Sequence, residues 1–303
     1  VVRHSGRPVG QTCHDSLVTS PMQPTSSARV GWLEDRRHPA PSAASVHPDA
    51  QPYEGGSGPV GVLLCHGYTG SPRSMIDWAR YLEGAGFHVV LPRLPGHGTT
   101  WQELNQTKWI DWYDCVDDAF TTLRTQCGQV FVTGLSMGGA LALRLAEQHG
   151  PEVAGLVLVN PAIKIGRPWS WVFLLRILPL LRLVLPSWAG IAQDIAIPNQ
   201  EELGYERNPL SAMYSQVLLW AEVRRNLDGV DQPLLVYRSI DDHVVDPSSV
   251  GLIKVGVRSS DQTYIELERS YHVATLDYDA EDIFEGSVAF FRRLTKEADG
   301  TAE

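Results

Sequence analysis

Apolar positions in this chain follow two patterns that take turns. Short runs, apolar or β-branched, recur at Pro59–Cys65, Phe87–Leu91, Val130–Thr133, Val153–Val159, Pro233–Arg238 and Gln262–Leu267. Runs of this length, most of them continuously apolar, predict strands of a parallel sheet covered on both faces. Between them the spacing changes to three and four. Met75, Ile76, Ala79 and Leu82 predict a helix opened by Ser71-Pro72 and stopped by Gly84 to Gly86. Trp109, Trp112, Tyr113, Val116, Phe120 and Leu123 predict a second, with Asp111, Asp117, Asp118 and Arg124 on its other faces. Ala140 to Gln148 predicts a third, ending at Gly150-Pro151. Two more follow, from about Pro247 to Val255 and on Ile283, Phe284, Val288, Phe291 and Leu294. Such alternation implies right-handed crossovers and an α/β fold, a mostly parallel sheet with helices on both faces.

Two stretches break the alternation. Residues 1–57, rich in Pro, Ser, His, Arg and Gly, lack apolar periodicity and predict a weakly ordered extension. Met22 lies inside it as a candidate natural start, and no catalytic residue is expected before residue 60. Residues 162–215 carry Trp169, Trp171, Phe173, Leu174 and many further leucines, then a polar stretch, and predict a cap inserted between core segments 58–161 and 216–298. Residues 299–303 are left as a tail. The apolar stretch Trp169–Trp188 is interrupted by Arg176, Pro179, Arg182 and Pro186, so it does not read as a membrane span.

Composition narrows the partners. With 303 residues, 43% of them hydrophobic, the chain suits one large α/β domain with an insertion. A net charge of -10 argues against nucleic acid and anionic membrane as electrostatic partners. Cys13, Cys65, Cys115 and Cys127 show no paired spacing, and no apolar signal region opens the chain, which together lead to the expectation of a cytoplasmic protein with reduced thiols. No cluster with metal-ligand spacing appears, so no cofactor is expected. Oligomeric state is left open.

The candidate chemistry centres on Gly134-Leu135-Ser136-Met137-Gly138, a G-x-S-x-G elbow between a predicted strand and a predicted helix. A serine hydroxyl is a weak nucleophile and needs a base, itself oriented by an acid. After Ser136 the histidines are His149, His243 and His272. His149 lies about three turns down the elbow helix, too far from the hydroxyl, and His243 follows the wrong strand. His272, after the last strand, is the candidate base. The acid should follow the penultimate strand, where Asp241, Asp242 and Asp246 stand. Asp246 precedes Pro247 as a helix N-cap; spacing alone does not choose between Asp241 and Asp242. The main-chain amides of Tyr68 and Met137 are the candidate oxyanion donors. His66 and His97 are read as braces of their loops.

Five separated motifs carry a resemblance: His66-Gly-Tyr-Thr-Gly70, Pro95-Gly-His-Gly98, Gly134-Leu-Ser-Met-Gly-Gly139, Asp242-His-Val-Val-Asp-Pro247 and Ser270-Tyr-His-Val-Ala-Thr-Leu-Asp277. In this order, across about residues 58–295, the chain resembles the bacterial carboxylesterase and monoacylglycerol lipase group of the α/β-hydrolases. The resemblance implies an α/β-hydrolase fold with an inserted cap after the sixth strand. It places the acid on Asp242 and agrees on Tyr68 and Met137. It implies a serine hydrolase that cleaves carboxylic esters through an acyl-enzyme. The apolar cap then suggests an uncharged medium- to long-chain ester such as a monoacylglycerol, with Trp169, Trp171, Phe173 and Leu174 as candidate substrate contacts. The same triad would serve a thioesterase or acyltransferase. A non-catalytic binding scaffold is the competing class, and epoxide or haloalkane hydrolysis is disfavoured because the elbow holds Ser136 rather than Asp.

Overall fold

The computed structural model describes residues 44–164, 177–190 and 193–300, all within one compact unit, His38–Glu303. In chain order the elements of the core are β1 (Tyr53–Gly55), β2 (Val60–Cys65), α1 (Ile76–Gly84), β3 (His88–Leu91), α2 (Trp101–Leu104), α3 (Trp109–Gln126), β4 (Gln129–Leu135), α4 (Met137–His149) and β5 (Leu156–Val159). Strands β6 (Ser187–Ala189) and β7 (Arg207–Pro209) form a separate two-stranded antiparallel ribbon. Then come α5 (Leu210–Asn226), β8 (Leu234–Ser239), α6 (Ser248–Gly256), β9 (Gln262–Leu267) and α7 (Ala280–Gly300). The seven-stranded sheet has the order β1-β3-β2-β4-β5-β8-β9 and is parallel except for β1, which pairs antiparallel with β3.

The two-residue period of each strand sorts the core into two layers. Leu63, Cys65, Val130, Val132, Leu156 and Val236 face α3, α4 and α5. Their neighbours Val62, Leu64, Phe131, Val157 and Tyr237 face α1 and α7. Each large apolar side chain buried this way contributes about 1.5–3 kcal/mol. Both faces are covered, which is why the strand segments read as continuous apolar runs. Cys65, Cys115 and Cys127 are unpaired, and Cys13 lies outside the described residues. No helix among the described residues is long and apolar enough to cross a membrane.

Several sequence boundaries are corrected. The ordered core starts before residue 58: Tyr53 pairs with Leu91 and Gly55 with Val89, closing the edge of β3. Three residues flanked by Pro52 and Gly56 are too short to show a period. Among the described residues five strands precede residue 162, where the sequence reading expects an insertion after the sixth. Residue 215, the expected end of that insertion, falls inside α5, whose Leu210 and Met213 pack with Leu178 while Leu219 and Val223 pack on the sheet. Helix α7 runs to Gly300, so 299 and 300 are helical rather than tail.

Residues 196–205 are held to the core by polar contacts. Tyr205 donates its hydroxyl to Gly96 O and accepts from Thr99 N, both at 2.9 Å. The Asp277 carboxylate accepts from Ala196 N (2.7 Å) and Ile197 N (3.1 Å).

Candidate active site

Parallel strands bring their carboxyl ends to one edge, and in open α/β sheets ligands bind there. Strand β4 ends at Leu135, and the next residue, Ser136, adopts φ 55, ψ −117. A non-glycine residue so placed costs on the order of 1–3 kcal/mol and persists only if its surroundings hold it. Here Ser136 N donates to Val159 O (3.0 Å), and Ser136 O accepts from Gly139 N and Ala162 N (both 3.0 Å). The turn is tight enough that a Cβ on Gly138 would collide with the Cys65 carbonyl oxygen, and one on Gly134 with that of Gly138. The result turns the serine side chain into a cavity of about 500 Å³.

The loop after β2 passes against this turn, since a Cβ on Gly67 would lie 3.4 Å from Ser136 Cβ. His66 is held inside it. Its Nε2 accepts from Leu94 N (3.1 Å), so its protonated Nδ1 donates to Gly67 O (3.0 Å). Burial pushes this imidazole down to about 4, so it stays neutral. His97 packs edge-on against it at 5.0 Å. Both histidines brace loops. Tyr68 lines the cavity, and its hydroxyl donates to Pro209 O (2.9 Å). The following Thr69 has φ 61, an outlier for a β-branched residue. Met137 is buried in the core and opens α4, whose first-turn amides lack intrahelical acceptors.

Asp242 and His272 follow β8 and β9. His272 Nδ1 bonds Asp242 Oδ2 at 2.9 Å, with both side chains buried. Asp242 Oδ1 accepts from Val244 N and Val245 N, both at 2.8 Å. Burial pushes the Asp242 carboxyl up, but His272 and these two amides outweigh it and hold it below the usual range. Burial likewise pushes His272 down, and Asp242, with Glu202 and Asp194 nearby, overcomes this and holds the imidazole above its ordinary value. Ser136, Asp242 and His272 line the same cavity. Among the described residues no hydrogen bond joins Ser136 Oγ to His272; contacts of this kind often tighten only when substrate binds.

Asp241 is exposed and does not line the cavity. Pro247 rather than Asp246 takes the N-cap position of α6, and Asp246, one residue earlier, accepts from Ser248 N through Oδ1 at 2.8 Å. Trp169, Trp171, Phe173 and Leu174 lie outside the described residues.

Sequence reasoning missed three residues of the site. Asn160, at φ 45, ties three loops: its Nδ2 donates to Ser239 Oγ (2.9 Å) and His272 O (2.8 Å), and its Oδ1 accepts from Ser239 N (2.7 Å). Asp194 accepts from His272 N (3.2 Å). Glu202 lines the cavity, and burial pushes its carboxyl up against the pull of His272. In sequence Asn160 stands only between the apolar run Val153–Val159 and Pro161. The other two sit in a polar stretch with no periodic signal.

Comparisons place this geometry among known proteins. The family described as Serine aminopeptidase, S33 matches residues 60–279. A thermostable monoacylglycerol lipase of Bacillus sp. (strain H-257) is 40% identical, over 80% of this chain and 95% of that protein. A carboxylesterase of Bacillus subtilis is 26% identical, over 80% of this chain and 97% of its own. A solved chain from work on LipS and LipT, two metagenome-derived lipolytic enzymes, superposes with a TM-score of 0.78 at 38% identity, covering 82% of this chain and 100% of that one. The elbow, the His–Asp pair behind it and these likenesses together establish that the chain belongs to the Serine aminopeptidase, S33 family of α/β-hydrolases, in its monoacylglycerol lipase and esterase group.

Proposed function

We propose that Ser136, His272 and Asp242 form the catalytic triad of this carboxylic ester hydrolase, and that its substrates are monoacylglycerols. Ser136 Oγ attacks the ester carbonyl while His272 Nε2 takes its proton. Asp242 holds the ring with Nδ1 protonated and stabilises the imidazolium. The Tyr68 and Met137 amides receive the developing oxyanion, where fixed donors in a water-poor site are worth most. The tetrahedral adduct collapses, and the imidazolium passes its proton to the leaving alcohol. Water, deprotonated by His272, then releases the acid and restores Ser136.

The observation that carries this reading is the buried 2.9 Å His272–Asp242 bond in the cavity that also receives the strained Ser136. The lining supports the substrate class. Met213, Trp220 and Val244 offer an apolar wall for an acyl chain, while Glu202, Asn208 and Gln216 offer hydrogen-bonding groups for a polyhydroxy alcohol. The lipase and esterase relatives support the same class.

The test is turnover of a chain-length series of monoacylglycerols and p-nitrophenyl esters, with Ser136→Ala as control. Medium- to long-chain monoacylglycerols should give the highest kcat/KM, and the variant should lose turnover. A strict preference for acetate esters would overturn the substrate class, and equal rates for Ser136→Ala the triad.

A further inference from the structure

We infer that Asp194, a cap residue, is a positioning residue for the catalytic pair: one carboxylate clamps the loop carrying the acid to the loop carrying the base. This rests on the triad proposed above. Asp194 Oδ2 accepts from His243 N, next to Asp242, at 3.1 Å, and from His272 N at 3.2 Å. Its Oδ1 bonds His243 Nδ1 at 2.8 Å. Its main-chain oxygen accepts from Val273 N at 3.0 Å. Two residues on, Ala196 N and Ile197 N are held by Asp277, whose carboxylate also accepts from Tyr271 N (2.9 Å). The segment is thus stitched at both ends to residues 271–273. His243 also packs edge-on against Tyr271 at 4.7 Å, a second bridge between the same two loops.

The physical consequence follows from how the two loops are built. Each leaves its own strand, and the register of β8 with β9 ends at Ser239 and Leu267. Beyond that point no ladder sets the distance between residues 242 and 272. Asn160 reaches the base loop from β5 and Ser239, but among the described hydrogen bonds Asp194 is the side chain that accepts from both His243 N and His272 N. An error of about 1 Å in such a pair costs on the order of 100-fold in rate. Asp194 also places a negative charge beside the imidazolium that forms in catalysis. Among the described residues, the charged or titratable groups that line the cavity with His272 are Asp242 and His243 from the loop after β8, Asp194 and Glu202 from residues 162–215, and Tyr68, Lys164 and Asp246 on the cavity wall. The part of the cap bearing Asp194 is therefore joined to the chemistry and does more than roof the cavity.

The experiment compares Asp194→Ala, Asp194→Asn, Ser136→Ala and wild type by kcat, KM and the pH profile of kcat/KM, with thermal melts as a folding control. Asp194→Ala should lower kcat by about 10- to 100-fold with KM changed less than about threefold, because the loss is one of alignment. Asp194→Asn keeps an acceptor for the two amides and should recover kcat to within about threefold of wild type. Having lost the charge, it should shift the acidic limb of the profile to lower pH. A purely structural role would leave that limb where it is. Should Asp194→Ala fail to melt cooperatively, the limb of Asp194→Asn decides, and an unshifted limb overturns the inference. It is also overturned if Asp194→Ala keeps kcat within about twofold of wild type, or if its loss lies in KM alone, while Ser136→Ala is inactive. Turnover retained by Ser136→Ala overturns the triad instead, so the two failures are distinguishable.

Discussion

His272 and Asp242 meet at 2.9 Å at the carboxyl ends of β9 and β8, while His149 and Asp117 meet at 2.6 Å where α4 packs near α3. Bond length alone would rank the second pair higher. The surroundings reverse the order. Side-chain exposure is 8% and 6% for His272 and Asp242, against 20% and 34% for His149 and Asp117. The second difference is what each ring has left to offer. His149 gives Nε2 to Asp117 and Nδ1 to Glu152, so neither nitrogen is available to a substrate. Among the described hydrogen bonds the His272 ring uses only Nδ1, to Asp242, and in the proposed triad Nε2 serves Ser136. A carboxylate beside a histidine becomes a catalytic device when the opposite nitrogen faces a nucleophile in a low-dielectric cavity. Otherwise it is an ion pair at a helix end, as His149 is at the last residue of α4.

The sharpest way to break this contrast is to neutralise each acid in turn. Asp242→Asn should lower kcat by about 10⁴-fold, because the imidazole is then held in the wrong tautomer. Asp117→Asn should leave kcat within about twofold. Ester turnover by the two variants measures both, and comparable losses would show that the two pairs are not functionally distinct.

The next effect separates the pairs by pH. For wild type, kcat/KM should fall on the acid side as His272 takes a proton, with a midpoint above the ordinary imidazole value because Asp242, Glu202 and Asp194 favour the charged ring against burial. The His149 pair should appear in stability instead. Its Asp117 hydrogen bond raises the His149 pKa, and His149 in turn lowers that of Asp117. The histidine's contribution is full below its unfolded pKa and is lost as pH rises through the raised folded value. The aspartate's contribution is present above its unfolded pKa and is lost as pH falls through the lowered folded value. The melting-temperature difference between wild type and Asp117→Asn should therefore be greatest between about pH 4 and 6.5 and shrink in alkaline buffer to what the Tyr113 hydroxyl bond to Asp117 contributes. At its largest it should be only about 1–3 °C, since a half-exposed pair is screened by solvent. The smallest effect should be that of His149→Ala on turnover at alkaline pH, which should be undetectable.

Part of this contrast is legible in the sequence. The distance of His149 from Ser136 along α4 sets it apart from the catalytic candidates, and the position of His272 after the last strand makes it the candidate base that the proposed triad uses. The choice between Asp241 and Asp242 was not made by spacing, because adjacent residues in a turn carry no period. It needed the motif resemblance. In the structure Asp242 is buried against His272 while Asp241 points to solvent. Asn160, Asp194 and Glu202 are invisible in sequence for a related reason: each acts on groups 49 to 112 residues away along the chain, and no local pattern encodes such a partner.

The sequence by itself determined the parallel sheet, the elbow and the order in which its chemistry follows. Runs covered on both faces, helical spacing and glycines that admit no side chain are local properties, and local sterics and burial act on them directly. Tertiary structure alone decided that, among the described contacts, both His149 nitrogens are engaged while the His272 ring is bonded through Nδ1, and that a short edge strand at Tyr53 and the Asp194 carboxylate belong to the same assembly. Those outcomes depend on where separate strands end in space, and that is set by packing of the whole sheet rather than by any stretch of it.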